Sequence, residues 1–190
     1  MNPSDVLKRI ATALDAAGIS YMLTGSFASA HHGTPRSTLD FDIVIAATRE
    51  QIRNFVGALP ADEYYVDLGT ALDAYSRESL FNVIDSVTGW KIDFIFRKSR
   101  TFSQEEFRRR KLIDFQGLQL FVATAEDVII AKLEWAKLAR SHRQLEDVAG
   151  ILRLRSETLD HRYITKWVGE LDLTTEWQTA QGLSAKNLPQ

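Results

Sequence analysis

Two features between Leu23 and Ile45 are of types that handle phosphate and metal ions. The first is Gly25-Ser26, which follows the apolar run Ile19 to Thr24 and opens a small-residue segment, Ser26 to His32, closed by Gly33. Where a strand passes into a helix, glycine permits a tight turn and close ligand approach. Exposed N–H groups and a serine hydroxyl can then hold a phosphate. Gly-Ser also occurs in many ordinary turns, so this pair alone does not define a site. The second feature is Asp40-Phe41-Asp42, in the β-rich run Asp40 to Ala46. Residues two apart on a strand share a face, so the two carboxylates project together while Phe41, Ile43 and Ile45 point to the core. Neighbouring carboxylates repel unless a cation lies between them, and hard oxygen donors of this kind suit Mg2+, with water and substrate phosphates completing an octahedron. The competing reading makes Asp40 a loop cap and Asp42 part of a solvated strand face.

A third carboxylate, Asp93, falls in Lys91-Ile92-Asp93-Phe94-Ile95-Phe96, opposite the alternating Ile92, Phe94 and Phe96. If this strand lies beside the first, Asp40, Asp42 and Asp93 converge. Further along, Lys132 has Val128 and Ile129 one turn before it and Trp135 and Ala136 one turn after it. A lysine inside an apolar helical stripe calls for a buried anion, or else snorkels at the edge of the stripe. Other features read as structural. His31-His32 has no second pair at ligand spacing and reads as a helix end or surface feature. Trp167, Trp177 and Tyr163 read as core or docking contacts. Arg97-Lys98-Ser99-Arg100 and Arg108-Arg109-Arg110-Lys111 read as solvated surface, or as a basic rim able to receive an anionic acceptor.

The elements that position these residues follow from periodicity and punctuation. Helices are predicted over Ser4 to Ala17, with Ser4 as N-cap, over Ser26 to His32, and over Arg49 to Leu59. Ile19 to Thr24 and Asp40 to Ala46 are strands, Tyr64 to Asp67 is an edge strand, and Thr70 to Arg77 is ambiguous. Leu80 to Val87 and Lys91 to Phe96 read as a hairpin turning at Thr88-Gly89. Leu112 to Phe115 and Leu118 to Val122 read as another, turning at Gln116-Gly117. After Thr124, whose Thr124-Ala125-Glu126-Asp127 start is like a capping box, the pattern is helical: Ala125 to Arg140, Arg143 to Leu154, Asp160 to Leu171 and a final short helix. The prediction is an α/β or α+β sheet domain over 1–123 and a helical region over 124–190 packed on it.

Taken together, a strand, Gly25-Ser26 at a helix start, Asp40-x-Asp42 on the next strand and Asp93 on a later one resemble the nucleotidyltransferase superfamily with a DNA polymerase β-like palm. Thirteen residues separate Ser26 from Asp40, more than in the minimal bacterial members. Arg36-Ser37-Thr38-Leu39-Asp40-Phe41-Asp42 matches the Arg-x-Thr-x-Asp-x-Asp variant of the motif. Over residues 5 to 155 the chain is most similar to small bacterial proteins related to AbiEii-type toxins and to minimal and aminoglycoside nucleotidyltransferases. Arg143-Gln144-Leu145-Glu146-Asp147 resembles the Arg-x-x-x-Asp of the family's next helix; a plain i,i+4 salt bridge is its bland alternative.

The resemblance implies a mixed sheet flanked by helices and a Mg2+-dependent transfer of NMP from an NTP to an acceptor hydroxyl, with release of pyrophosphate. Two Mg2+ ions would be held by Asp40, Asp42 and Asp93. Gly25 and Ser26 would cradle the β- and γ-phosphates, with Arg36, Thr38 and Lys132 completing the nucleotide site. Asp93 or Asp147 would be the base. ATP or CTP is the expected donor, and the acceptor is tRNA, a protein, or, as an alternative, an aminoglycoside-type small molecule. The toxin-like branch adds a cognate antitoxin as partner. A catalytically idle relative that only binds a nucleotide or a partner is the reading from another class.

Composition bounds these choices. A chain of 190 residues and 21.5 kDa is one domain with at most a small appendage, long enough to form a core without staples. The absence of cysteine excludes disulfides, thiolate zinc sites and a cysteine nucleophile. With 23 basic against 25 acidic residues, net charge −2, wholesale electrostatic binding to nucleic acid is not expected. Ala16 to Pro35 carries no formal charge, but its glycines, hydroxyls and histidines make it too polar to span a bilayer. No basic segment followed by an apolar core opens the chain, so a cytoplasmic protein is expected.

Overall fold

The computed structural model describes residues 3–34 and 40–186, which fall into two compact units. The first unit comprises Met1–Thr24 with Thr38–Val122, and the second Gly25–Ser37 with Ala123–Gln190. The helix that opens at Gly25, expected within the sheet domain, therefore groups with the C-terminal helices.

In the first unit the strands are β1 (Ser20–Leu23), β2 (Asp40–Ala46), β3 (Tyr64–Tyr65), β4 (Leu80–Asp85), β5 (Lys91–Phe96), β6 (Lys111–Phe115) and β7 (Leu118–Val122). They form a mixed seven-stranded sheet in the order β3-β4-β5-β2-β1-β7-β6. β2 runs antiparallel to β1 and parallel to β5, and β1 runs parallel to β7. The predicted alternation holds: Phe41, Ile43 and Ile45 on β2 and Ile92, Phe94 and Phe96 on β5 are all buried. Their face carries an aromatic core in which Phe41 stacks on Trp90 at 4.3 Å and Phe94 meets Phe55 and Phe81 at 5.1 and 5.2 Å. Each such pair of rings adds about 0.5–1.5 kcal/mol beyond its burial.

Helix α1 (Pro3–Ala16) buries Val6, Leu7, Ile10 and Leu14. Ser4, predicted as its cap, lies inside it. Helix α3 (Arg49–Ala58) starts in a reciprocal capping box between Thr48 and Gln51. The ambiguous stretch before Arg77 is helix α4 (Leu68–Ser76), capped by the Asp67 carboxylate, which accepts from the Thr70 N–H at 2.6 Å. Asp67 thus belongs to a helix start, and the edge strand shrinks to Tyr64–Tyr65. Helix α5 (Thr101–Arg109) has no counterpart in the sequence reading, because its buried face rests on only two large apolar residues, Phe102 and Phe107, amid a charged run.

The two hairpins differ. Gln116 and Gly117 both have positive φ, 55° and 81°, and join β6 to β7 as the expected two-residue turn. Between β4 and β5 the register pairs Leu80 with Ile95 and Asn82 with Asp93, and the loop runs from Ser86 to Gly89. A two-residue turn at Thr88-Gly89 would have set Ile84 opposite Asp93. The wider loop follows from Asp85, which is fully buried, accepts the N–H groups of Val87 and Thr88 at 3.0 Å each, and pairs with Arg9.

In the second unit α2 (Gly25–His32) packs with α6 (Ala125–Ala139) and α7 (His142–Arg155), followed by α8 (His161–Glu170) and α9 (Thr174–Lys186). At 13 residues α9 is longer than the short terminal helix expected. A Cβ on Gly33 would lie 2.9 Å from Ile151, and Arg155 Nε donates to the His32 carbonyl at 2.9 Å, so α2 ends in direct contact with α7. As predicted, Thr124 caps α6, and its hydroxyl donates to Asp127 at 2.5 Å. Tyr163 donates to the same carboxylate at 2.6 Å, and Trp167 is buried.

His32 ends α2 with Nε2 donating to the Ala123 carbonyl oxygen at 2.7 Å. Burial pushes its pKa down from 6.5 to about 4, helped by the charges of His31 and Arg155 and opposed by the Ala123 hydrogen bond and Glu126. The folded state therefore holds His32 neutral where the unfolded chain binds a proton. Stability is complete above pH 6.5 and falls as the pH drops from 6.5 to 4, by about 3 kcal/mol from this group. His31, shifted down mainly by burial, acts in the same direction. Urea unfolding between pH 7 and 4 is expected to be markedly less pH-dependent in His32→Gln, whose amide can still donate to Ala123; an unchanged slope overturns the assignment.

Candidate active site

The burial pattern of β2 leaves Asp40 exposed and Asp42 half-buried on the face opposite the aromatic core. On β5 the same alternation puts Lys91 and Asp93 on that face. Parallel register then pairs Asp40 with Lys91 and Asp42 with Asp93. Because β2 and β5 are neighbours, Asp40, Asp42 and Asp93 lie on one face, with Asp42 and Asp93 in register.

Two further side chains join them. Asn82, opposite Asp93 on β4, donates its amide to Asp93 Oδ1. Lys91 Nζ donates to Asp93 Oδ2 at 2.9 Å. The hydrogen bond from Lys91 to Asp93 raises the lysine's pKa above its ordinary value; burial opposes it, and the charges of Asp93, Asp40 and Asp42 add to it. The ammonium thus feels the field of all three aspartates. Asn82 was legible only as a polar residue in an alternating strand, and the assumed tight turn set the wrong residue opposite Asp93. Lys91 shares the face of Asp93 by simple period-two spacing, which would have found it.

The donor set suits a hard cation. Among the described residues no group of three or more His, Asp or Glu side chains is gathered closely enough to hold a metal ion unaided. Mg2+ does not require such a cage, since it binds through one or two carboxylates and completes its shell with water and substrate phosphates. Asp42 and Asp93 as register partners, with Asp40 two residues along, supply oxygens of that kind.

The chain leaves β1 at Thr24, whose N–H donates to the Asp42 carbonyl oxygen at 2.9 Å, and enters α2 at Gly25. Gly25 has φ of +58°, a conformation that favours glycine, and Ser26 follows in the first turn. Arg36 and Thr38 lie outside the described residues.

In the second unit Lys132 is 4% exposed. Its Nζ meets Asp147 Oδ2 at 2.7 Å and Gln144 Oε1 at 2.9 Å, so α6 and α7 are joined by a buried ion pair. Val128, Ile129 and Ala136 flank Lys132 in the buried stripe as expected, whereas Trp135 is 53% exposed. Lys132 and Asp147, read from sequence as two separate site residues, are each other's partners.

The mixed seven-stranded sheet with its helices has the fold of solved nucleotidyltransferases. Solved structures that the chain resembles bear that out. The antibiotic-resistance factor ANT(2'')-Ia superimposes with a TM-score of 0.61 at 12% identity, over 96% of this chain and 98% of that one. An antigenic nucleotidyltransferase-like protein from Paracoccidioides brasiliensis gives 0.53 at 14% identity, over 92% and 91%. A nucleotidyltransferase-type protein from Thermotoga maritima gives 0.50 at 16%, over 74% and 90%. No protein-family model matches the sequence, and no curated protein matches it.

Proposed function

We propose that this protein is a nucleotidyltransferase that moves NMP from an NTP to an acceptor hydroxyl. The observation that carries the reading is the row Asp42–Asp93, with Asp40 beside it, on one face of a nucleotidyltransferase-fold sheet. The acceptor oxygen forms a bond to the α-phosphorus, the bond from that phosphorus to the bridging oxygen breaks, and pyrophosphate leaves. Asp40 and Asp42 would hold Mg2+, with Asp93 as shared ligand. When bound, the metal supplies Lewis-acid neutralisation of charge developing on the phosphate. Gly25 and Ser26 bind the terminal phosphates through backbone N–H groups and a hydroxyl, with Arg36 and Thr38 adding donors. Asp93 or Asp147 takes the proton of the acceptor hydroxyl; each carboxylate is paired with a lysine, Asp93 with Lys91 and Asp147 with Lys132. Calorimetric titration of ATP, CTP, GTP and UTP with and without Mg2+ tests the reading. Mg2+-dependent binding of at least one of them is expected, and turnover of none with any acceptor leaves the idle-relative reading in its place.

A small-molecule acceptor is the second reading, favoured by the near-complete mutual coverage with ANT(2'')-Ia, which has been solved with adenylyl-2''-tobramycin. Transfer of labelled NMP to tobramycin against transfer to tRNA separates it from a macromolecular acceptor.

Lys91 enters the reading as a competing cation. Lys91→Met removes a positive charge worth about 1 kcal/mol of repulsion at the metal site. It is expected to tighten Mg2+ binding about fivefold in calorimetry without nucleotide. Unchanged affinity would show that Lys91 only positions Asp93.

A further inference from the structure

The opposite end of the same strands carries a second constellation. Ser20 on β1 pairs with Ala46 at the end of β2, four residues and about 13 Å along the strand from Asp42. The Arg97 N–H donates to the Ile45 carbonyl there, at 2.9 Å. A cleft of about 550 Å3 opens at this end, walled by Arg97, Arg108 and Arg110 with Thr101, Gln104 and Glu105 among its lining.

Its arginines are arranged unusually. The Arg110 guanidinium lies 4.2 Å from the centre of the Phe107 ring and 5.0 Å from that of Phe121, and Arg97 lies 5.5 Å from the same Phe107 ring. Arg110 Nη1 donates to the Phe107 carbonyl at 2.6 Å, while its Nε is buried without a partner. Among the described residues no carboxylate pairs with Arg97 or Arg110; Glu105, the one acid lining the cleft, pairs with Arg108 at 2.6 Å. Three positive charges thus face one negative charge. Burial, followed by the charge of Arg97, lowers the pKa of Arg110, so two like charges are held together in a partly dry setting. An anion between them would relieve that repulsion. The segment from Arg97 to Lys111 carries seven basic residues against two acidic ones, in a chain whose net charge is −2.

We propose that this cleft is a phosphate-binding site, separate from the aspartate site, for a ligand that presents two or more phosphate charges. Arginine forks match phosphate oxygens in pairs, and Thr101, Gln104 and Ser20 offer neutral polar groups around them. Because Phe107 is buried under the guanidinium groups, recognition acts on phosphates and not by base stacking. The ligand is either a nucleic-acid backbone or a free polyphosphate, which share this chemistry.

The test uses the full chain in EDTA, with a fluorescent 12-nucleotide single-stranded RNA followed by anisotropy and sodium tripolyphosphate followed by calorimetry. Arg97→Gln/Arg108→Gln replaces two exposed side chains, and Arg110→Gln is the second variant. The expected result is binding of at least one probe, weakened about tenfold or more in the double variant and unchanged in Asp42→Asn. If RNA is the ligand, the slope of log affinity against log salt falls by about 1.4 for two lost contacts. Binding of tripolyphosphate alone, with the same dependence on the arginines, supports the site and names free polyphosphate as its ligand. Binding of neither probe, binding indifferent to all three arginines, or binding lost in Asp42→Asn overturns the proposal.

Discussion

Asp42→Asn is expected to abolish NMP transfer, lowering turnover by about a thousandfold or more, while the protein stays folded. Asparagine keeps the shape of the side chain but removes a full negative charge from the centre of the Asp40, Asp42 and Asp93 group. Loss of one preorganised electrostatic contact to a transition state costs about 10²–10³ in rate, and Asp42, as a proposed metal ligand, belongs at or above the top of that range. Stability is a separate matter. Asp42 lies half-buried on the polar face, and its contact with Thr24 runs through its backbone carbonyl, which the substitution leaves in place. Removing one of three like charges relieves repulsion but also gives up attraction to Lys91, so the melting temperature should change little. Turnover within a few-fold of the original would remove Asp42 from the site. A collapse of melting temperature would make the loss of activity uninformative, and Asp93→Asn would then be the substitution to measure.

The second large effect falls on stability. Lys132→Ala removes the ammonium that pairs with the Asp147 carboxylate, whose side chain is 10% exposed, between α6 and α7. Breaking a buried ion pair from one side typically costs about 3–5 kcal/mol, because the remaining charge must stay dry and uncompensated. Denaturant unfolding of Lys132→Ala should show a loss of that size. Lys132→Met/Asp147→Leu should recover much of it, since two apolar side chains of similar volume carry no desolvation penalty. Nucleotide affinity of the double variant then isolates any role of the ammonium in binding. Stability within about 1 kcal/mol of the original in Lys132→Ala would mean that the pair is solvated in the working protein.

Part of the molecule was legible because local patterns carry it. Period-two alternation set the inward and outward faces of β2 and β5, and with them the face shared by Asp40, Asp42 and Asp93. Capping chemistry at Thr124 and the Gln116-Gly117 turn were decided by residues within a few positions of one another. The elements that escaped depend on partners far along the chain. Helix α5 has only two large apolar residues on its buried face, beside the buried Ser103 and Glu106. The β4–β5 loop is widened by Asp85, whose carboxylate is held by Arg9, 76 residues away in sequence.

What the sequence alone determined is therefore the set of carboxylates, their common face and the strand-to-helix turn at Gly25, since backbone periodicity and glycine's conformational freedom act within a few residues. Tertiary structure decided which strands became neighbours, and so the pairing of Asp42 with Asp93 and the arrival of Asn82 from β4. It also converted Lys132 and Asp147 from two separate candidates into one buried pair, and gathered Arg97, Arg108 and Arg110 around one cleft. These are relations between charges on different elements, and their energies depend on distance and desolvation, which exist only once the chain is folded.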